Sequence, residues 1–173
     1  NNVPFFSSSS LRYAPEVVAA KAELGRIYGV DAWSPASLHE ASPGLAHYGI
    51  HGVEILFALM GAGCDAVSCA FDEEIGEVNT ATWTDKRVGT MRGTRKGAHD
   101  YGFVAWGESE VRKSGVDTAY IYRELVKQFV QMFQTGQPPI DVNETIEIVC
   151  FMDAALESSK KGGEWVKLRK LEA

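Results

Sequence analysis

Five short runs rich in valine, threonine, phenylalanine and tryptophan follow one another between residues 65 and 114, with only turn-type residues between them. Thr84-Asp85-Lys86 has the composition of a hairpin turn. Successive strands without a helix between them pair antiparallel, because a parallel pair needs a long crossover. We therefore predict antiparallel strands over residues 65–72, 77–84, 87–95, 101–107 and 110–114.

Helical patterns lie on both sides of this segment. Asp141 and Glu144 fit a capping box, in which each side chain binds a free N–H group of the first turn. The whole order indicates an α+β domain with a large, mostly antiparallel open sheet and helices on one face. The remaining predictions are helices from Pro15, over 46–60, over 120–135 and after Asp141, and strands over 27–33 and 165–168.

Large apolar residues occupy both alternation sets of the predicted strands. Helices can cover one face of such a sheet, and a second apolar face would favour packing against another sheet. The sequence therefore predicts a homodimer or tetramer formed through the sheet face. The residues concerned are Val67, Phe71, Val78, Trp83, Met91, Phe103 and Trp106.

Charge and cysteine content narrow the class of partner. The 173 residues carry a net charge of −6, and the basic residues are scattered. A nucleic-acid partner is disfavoured because it would need a basic stripe, and no apolar run reaches the ~20 residues that span a membrane. Cys64, Cys69 and Cys150 form no CxxC pair and are expected to be buried, reduced thiols. A small molecule is the expected partner.

Two histidines stand out as candidates for catalysis. His47 and His51 are four residues apart and would share one face of the predicted helix, with Glu54 three residues beyond His51. A histidine with a pKa of about 6.5 can shuttle protons at neutral pH. The alternative is structural, with both rings bound to nearby carbonyl groups.

The same pair could bind zinc if His39, His99 or a carboxylate supplied a third ligand. However, Tyr48 occupies the position where the metalloprotease pattern requires glutamate. We therefore expect no metal, and we expect His39 and His99 at the surface.

The sequence contains no G-x-G-x-x-G motif after a strand and no P-loop. Gly61-Ala62-Gly63 follows a predicted helix, which is the wrong context for a pyrophosphate. We expect no NAD or NADP to bind this chain by itself. A serine hydrolase is also disfavoured, because no G-x-S-x-G elbow is present and Ser7 to Ser10 have the character of loop residues.

Three segments carry a resemblance to a known family. They are the apolar residues 3–6 followed by Ser10-Leu11-Arg12-Tyr13, the segment 48–61, and the segment from Pro138 to Leu168. Together they resemble the C-terminal part of the glucose–fructose oxidoreductase, inositol dehydrogenase and rhizopine-catabolism (Gfo/Idh/MocA) family.

The resemblance implies a division of the chain. Residues 1–10 would be the tail end of a missing nucleotide-binding (Rossmann) domain, beginning with an apolar strand-like segment, together with the crossover. Residues 11–173 would form a C-terminal domain for substrate binding and oligomerisation. The parent would be an NAD(P)-dependent oxidoreductase that transfers hydride to or from a sugar, cyclitol or related polyol, and this fragment alone would be inactive.

The resemblance also implies roles for single residues. The family's active-site helix carries Asp, three residues, and then His, which contributes to proton transfer and substrate positioning. His51 takes the histidine position, and His47 replaces the aspartate. Arg12, Tyr13 and Tyr48 are expected to line the substrate or cofactor pocket. The family's catalytic lysine would belong to the missing domain.

Two alternatives remain open from the sequence. The chain could be a sugar-binding or oligomerisation module without redox chemistry, or a metal-dependent hydrolase or isomerase that uses His47 and His51. The cytoplasm is the default location, although any export signal would lie upstream of Asn1.

Overall fold

A single seven-stranded sheet organises the computed structural model, which describes residues 3–169. The strand order is β6-β5-β1-β4-β3-β2-β7. All neighbouring strands are antiparallel except β1 and β4, which are parallel. The strands are β1 (Ile27–Pro35), β2 (Cys64–Asp72), β3 (Gly76–Trp83), β4 (Val88–Thr94), β5 (Gly102–Gly107), β6 (Val111–Gly115) and β7 (Val166–Lys167).

Four α-helices and two short 3-10 helices complete the described part of the chain. The structure confirms the predicted α+β class and the mostly antiparallel sheet. No helix within residues 3–169 has the length and apolar content needed to cross a membrane. The helices are α1 (Pro15–Glu23), α2 (Ile50–Met60), α3 (Ile121–Thr135) and α4 (Val142–Lys160), with 3-10 helices at Ser10–Tyr13 and Gly44–Ala46.

Helix α2 lies directly on the centre of the sheet. A Cβ atom at Gly52 would lie 2.7 Å from Cε of Met91 on β4 and 2.9 Å from Oγ of Ser34 on β1. Only glycine permits this close approach of helix and sheet. Val53 and Leu56 are completely buried in the same contact. The result is a rigid platform for the residues at the start of α2.

The start of α2 differs from the prediction. The helix was expected from residue 46 but begins at Ile50, after the short 3-10 helix. The intervening chain turns tightly, and a Cβ atom at Gly49 would lie 2.5 Å from Cδ2 of Leu45. His47 therefore precedes the helix, and the prediction that His47 and His51 share one helix face was wrong.

The predicted capping box is only half formed. The Asp141 side chain accepts a hydrogen bond from the backbone N–H of Asn143 at 2.8 Å and so caps α4. The Glu144 carboxylate instead lies 2.7 Å from Nη2 of Arg12. An ion pair is a stronger interaction for this carboxylate than a neutral backbone N–H, which explains the difference.

Residues 3–9, which include the apolar strand-like segment, have no regular secondary structure. Phe6 instead packs its ring 4.9 Å from that of Phe129 on α3. It lies in a small apolar cluster with Met132 and Ile140. Burial of this ring against α3 holds the segment on the domain.

The uncovered face of the sheet is more polar than predicted. Val67, Trp83, Met91 and Phe103 are all buried on the side that the helices cover. Alternation and register place Val78 and Trp106 on the other face, together with the partly exposed threonines of β3 and β4. That face is therefore mixed rather than apolar: Thr80, Thr82 and Thr90 lie near its centre, beside the exposed Val88 and Arg92 of β4.

A larger exposed apolar stripe lies on α3. Only Ile121 and Met132 of this helix are buried. Most of the other apolar side chains face outward, and Phe133 is 77% exposed. The stripe consists of Tyr122, Val126, Val130 and Phe133.

Candidate active-site cleft around His51

His51 lies in the first turn of α2, beside a cleft of about 260 Å³. The chain comes together here from four places: the 3-10 helix after Ser9, the start of α2, the segment before β5, and the segment before and at the start of α3. The cleft is small, and His51 is its one imidazole. Its lining residues are Ser10, Leu11, Tyr48, His51, Tyr101, Thr118, Ile121 and Tyr122.

Two tyrosine rings flank the imidazole of His51. The Tyr48 ring is centred 5.5 Å away at an interplanar angle of 85°, and the Tyr101 ring is centred 6.0 Å away at 79°. Tyrosine combines an apolar ring with a hydroxyl group that donates and accepts hydrogen bonds. A cleft of this kind suits a small ligand with both an apolar face and hydroxyl groups.

Ser9 connects the N-terminal segment to this cleft. Its Oγ lies 2.8 Å from Nδ1 of His51. Its backbone N–H donates a 2.9 Å hydrogen bond to Oε1 of Glu54, one turn further along α2. The His51 ring is therefore held from its Nδ1 side, and within residues 3–169 its Nε2 atom makes no hydrogen bond.

A buried ion-pair cluster lies behind Ser9. Nε of Arg12 donates a 2.8 Å hydrogen bond to Oε2 of Glu54, and Nη2 of Arg12 lies 2.7 Å from Oε1 of Glu144. Burial raises the pKa of Glu54, although the neighbouring Arg12 opposes this shift. The guanidinium is engaged by two carboxylates and does not line the cleft.

The other predicted site residues lie at different places. Tyr48 borders the cleft, whereas the half-buried Tyr13 packs beside Phe6. The exposed His47 ring lies 4.9 Å from that of His39 and 5.2 Å from that of Tyr48. The structure therefore brings together His51 and Tyr48, and it leaves Arg12, Tyr13 and His47 outside the cleft.

No metal centre is evident in the described part of the chain. Within residues 3–169 there is no group of three or more histidine, cysteine or acidic residues that could hold a metal ion. His39 and His99 are exposed. The rings of His47 and His51, which the sequence spacing paired, each contact the Tyr48 ring, with centroids 5.2 and 5.5 Å away.

Burial sets the protonation of the cleft residues. It lowers the pKa of His51, because the charged imidazolium loses hydration. It raises the pKa of Tyr101 for the corresponding reason. At neutral pH the cleft therefore presents an uncharged imidazole and a neutral phenol.

The glycine segment after α2 does not offer free N–H groups to a phosphate. Gly61 ends the helix, and its N–H donates to the Phe57 carbonyl. The N–H groups of Gly63 and Cys64 both donate to Oε1 of Glu147, each at 2.7 Å. A carboxylate of the same chain thus occupies the position that an anion would need.

Sequence reasoning missed Tyr101 and Tyr122, which line the cleft, and Ser9, which contacts His51. Ser9 was treated as one of several loop serines, and it meets His51 across 42 positions of sequence. Tyr101 precedes β5 and Tyr122 lies in α3, so neither has a local pattern that marks it. Only the packing of distant segments brings these residues together.

The fold identifies the class of proteins to which this chain is structurally similar. The chain has the fold of the C-terminal portion of Gfo/Idh/MocA-type dehydrogenases. No protein-family model matches the sequence, and no curated protein matches it either. The resemblance to the solved structures is therefore one of fold, at sequence identities below 20%.

Three solved structures illustrate the similarity. GenD2 from gentamicin A biosynthesis, in complex with NAD, shares 17% identity over 93% of this chain and 62% of its own, with a TM-score of 0.74. A myo-inositol dehydrogenase from Corynebacterium glutamicum shares 15% identity over 94% of this chain and 64% of its own, with a TM-score of 0.75. Levoglucosan dehydrogenase, in complex with NADH and L-sorbose, shares 14% identity over 99% of this chain and 67% of its own, with a TM-score of 0.78. The chain thus spans about two thirds of these proteins.

Proposed function

We propose that this chain is the substrate-side domain of an NAD(P)-dependent oxidoreductase that acts on a sugar, cyclitol or related polyol. The observation that carries the proposal is the cleft in which His51 stands between Tyr48 and Tyr101. The fold supports it, because the similar solved structures include a myo-inositol dehydrogenase and a levoglucosan dehydrogenase.

The cofactor is assigned to another part of the parent protein. The glycine segment after α2 does not fit a pyrophosphate, because its N–H groups are bound to Glu147. The nicotinamide of NAD(P), when bound, supplies the hydride acceptor or donor for the substrate carbon. This chain supplies the wall that binds and orients the substrate.

The roles within that wall follow from position. The free Nε2 atom of His51 would meet the reacting oxygen of the substrate and position it for hydride transfer. Tyr48 and Tyr101 would pack against the ring and bind its hydroxyl groups. Ser9 holds the position next to Nδ1, where an orienting carboxylate would otherwise lie.

Ligand binding to the cleft tests this proposal directly. Cyclitols and sugars are titrated into the isotope-labelled chain at millimolar concentration, and the ring resonances of His51, Tyr48 and Tyr101 are followed. We expect these resonances to shift together with one of the polyols, while those of the exposed His99 stay constant. Shifts confined to other surfaces would contradict the proposal.

A second candidate is a sugar-binding module without redox chemistry. It is favoured by one observation: His47, which replaces the expected aspartate, is exposed and does not line the cleft of His51. In that case the polyol would bind the cleft, but the parent protein would transfer no hydride.

The proposal includes a homodimer or tetramer formed through the uncovered face of the sheet. Its mixed surface of threonines with Val78 and Trp106 suits contact with a second copy in a twofold arrangement. The exposed apolar stripe on α3 is the alternative surface for contact with a second copy. Substitutions on the sheet face and on α3 distinguish these two interfaces.

A further inference from the structure

We infer that Ser9 holds His51 as the neutral tautomer that carries its proton on Nε2, so that His51 meets a ligand oxygen as a hydrogen-bond donor and not as a base. Ser9 is then a positioning residue for this ring. The catalytic role of Nε2–H as a donor rests on the proposed function, but the assignment of the tautomer does not.

The first step is that Ser9 itself is fixed in place. Its side chain is the N-cap of the 3-10 helix and accepts a 3.2 Å hydrogen bond from the Leu11 N–H. Its backbone N–H donates to Glu54, which is in turn bound by Arg12. Ser9 is only 7% exposed. The hydroxyl oxygen therefore has one defined position, 2.8 Å from Nδ1 of His51.

The second step is an account of the protons. A serine hydroxyl has one proton to donate and two lone pairs that accept. The Leu11 N–H already uses one lone pair. Within the described residues, Nδ1 of His51 is the one acceptor within reach of the Ser9 proton. If Ser9 donates, both groups are satisfied, and the ring proton must lie on Nε2.

The opposite arrangement leaves a group unsatisfied. If Nδ1–H donated to Ser9, the oxygen would accept from both Leu11 and His51, and its own proton would have no acceptor among residues 3–169. A buried donor without a partner is unfavourable. The tautomer with Nε2 unprotonated, which a general base requires, is therefore disfavoured in the resting protein.

The third step concerns charge. A carboxylate beside the ring could favour the imidazolium, but the nearest one along the helix, Glu54, accepts hydrogen bonds from Arg12 and Ser9. The side chains that flank the ring in the cleft are those of Tyr48 and Tyr101, and neither is a carboxylate. Burial also lowers the pKa of His51. Geometry and charge thus both support a neutral ring.

The consequence is a specific division of labour. Nε2–H of His51 donates to an oxygen of the bound ligand and orients it. The proton that leaves a substrate hydroxyl during oxidation must then be accepted by another group, which is not His51. This assignment differs from the role in proton transfer that the family resemblance implies.

Nitrogen-15 NMR of the histidine rings in this chain decides the tautomer without any assay of activity. The chain contains four histidines, so the rings can be assigned by single substitutions. Above the pKa of His51 we expect Nδ1 to show the frequency of an unprotonated ring nitrogen and Nε2 that of a protonated one. The reverse pattern would overturn the inference.

Variants of Ser9 test the cause. Ser9→Ala should give intermediate frequencies at both ring nitrogens, because two tautomers then exchange, and Ser9→Thr should restore the pattern. Ser114→Ala, at an exposed serine whose Oγ donates to Gly115, is the matched control and should leave His51 unchanged. If Ser9→Ala keeps the single-tautomer pattern of the wild type, Ser9 is not what selects it.

The full-length parent provides a second readout. The amide NH₂ of glutamine can take the place of Nε2–H, so His51→Gln should keep a turnover about tenfold above that of His51→Ala, roughly the effect of one neutral hydrogen bond. Equal turnover of the two variants would indicate a base and overturn the donor role. If the parent transfers no hydride at all, the proposed function fails, and the NMR measurement still decides the tautomer.

Discussion

Arg12 donates a 2.8 Å hydrogen bond from Nε to Oε2 of Glu54, and this buried pair joins the N-terminal segment to helix α2. The same guanidinium reaches Glu144 on α4. Ser9 lies between this cluster and His51, so the pair also fixes one wall of the cleft. Stability and site geometry therefore depend on the same residues.

Removal of Glu54 tests this dependence. Glu54→Ala should lower the free energy of unfolding by about 3 kcal/mol, because a buried guanidinium loses one of its two partners. Denaturant unfolding measures the change. Glu124→Ala, which removes exposed ion pairs with Arg123 and Lys127 on α3, is the control and should have little effect. Similar losses in both variants would contradict the account.

The pH dependence of stability should carry a contribution from His51. Its folded pKa is lowered by burial, so folding favours the neutral ring. The stabilisation is complete above the unfolded value of about 6.5 and is lost as the pH falls below it, because the unfolded chain then binds the proton first. Between pH 8 and pH 5 the wild type should lose more stability than His51→Gln.

Denaturant unfolding of both proteins across this range provides the measurement. His99→Gln removes an exposed histidine and should follow the wild type at every pH. A His51→Gln variant with the pH dependence of the wild type would show that the ring is not held neutral by burial.

The thiols should be inert in the folded protein. Cys69 is 1% exposed, its Sγ donates to Oε2 of Glu77 at 3.6 Å, and burial raises its pKa to about 12. Burial also raises the pKa of Cys64. At pH 8 a thiol reagent should therefore label neither residue rapidly, whereas all three cysteines of the chain should react after unfolding. Rapid native labelling of Cys69 would contradict the structure.

Self-association through the sheet remains a prediction. Thr80 pairs with Thr90 at the centre of the uncovered face. Thr80→Arg should therefore reduce the mass in sedimentation at micromolar concentration to that of one chain. Val126→Lys on α3 is the matched variant and should leave the oligomer intact. Dissociation by Val126→Lys but not by Thr80→Arg would place the interface on α3. A wild-type protein with the mass of one chain would contradict the prediction.

The sheet and the helices could be predicted because their signals are local. Alternating residues between 65 and 114 indicated strands, and Gly136, which adopts the left-handed conformation, ended α3 at the expected place. The placement of β1 beside β4 could not be predicted in this way. Parallel pairing brings together strands that are distant in sequence, and alternation within each strand gives no information about its neighbours.

The site was predicted in part for the same reason. His51 was predicted from its spacing in the sequence and Tyr48 from the family resemblance, and both border the cleft. The shorter extent of α2 removed His47 from the helix, because Leu45 and Gly49 make a tight turn before it. Ser9 had no local signal, since its role depends on a contact with His51 that only the folded chain creates.

The most direct test of the central claim is hydride transfer by the full-length parent protein. With NAD or NADP and a panel of sugars and cyclitols, we expect reduced nicotinamide to form with at least one polyol. His51→Ala should lower the turnover by roughly 10²–10³-fold, the effect of removing one hydrogen-bond donor from a reacting oxygen, while His99→Ala should retain it. A parent that reduces neither cofactor with any polyol, or a His51→Ala variant with normal turnover, would contradict the account.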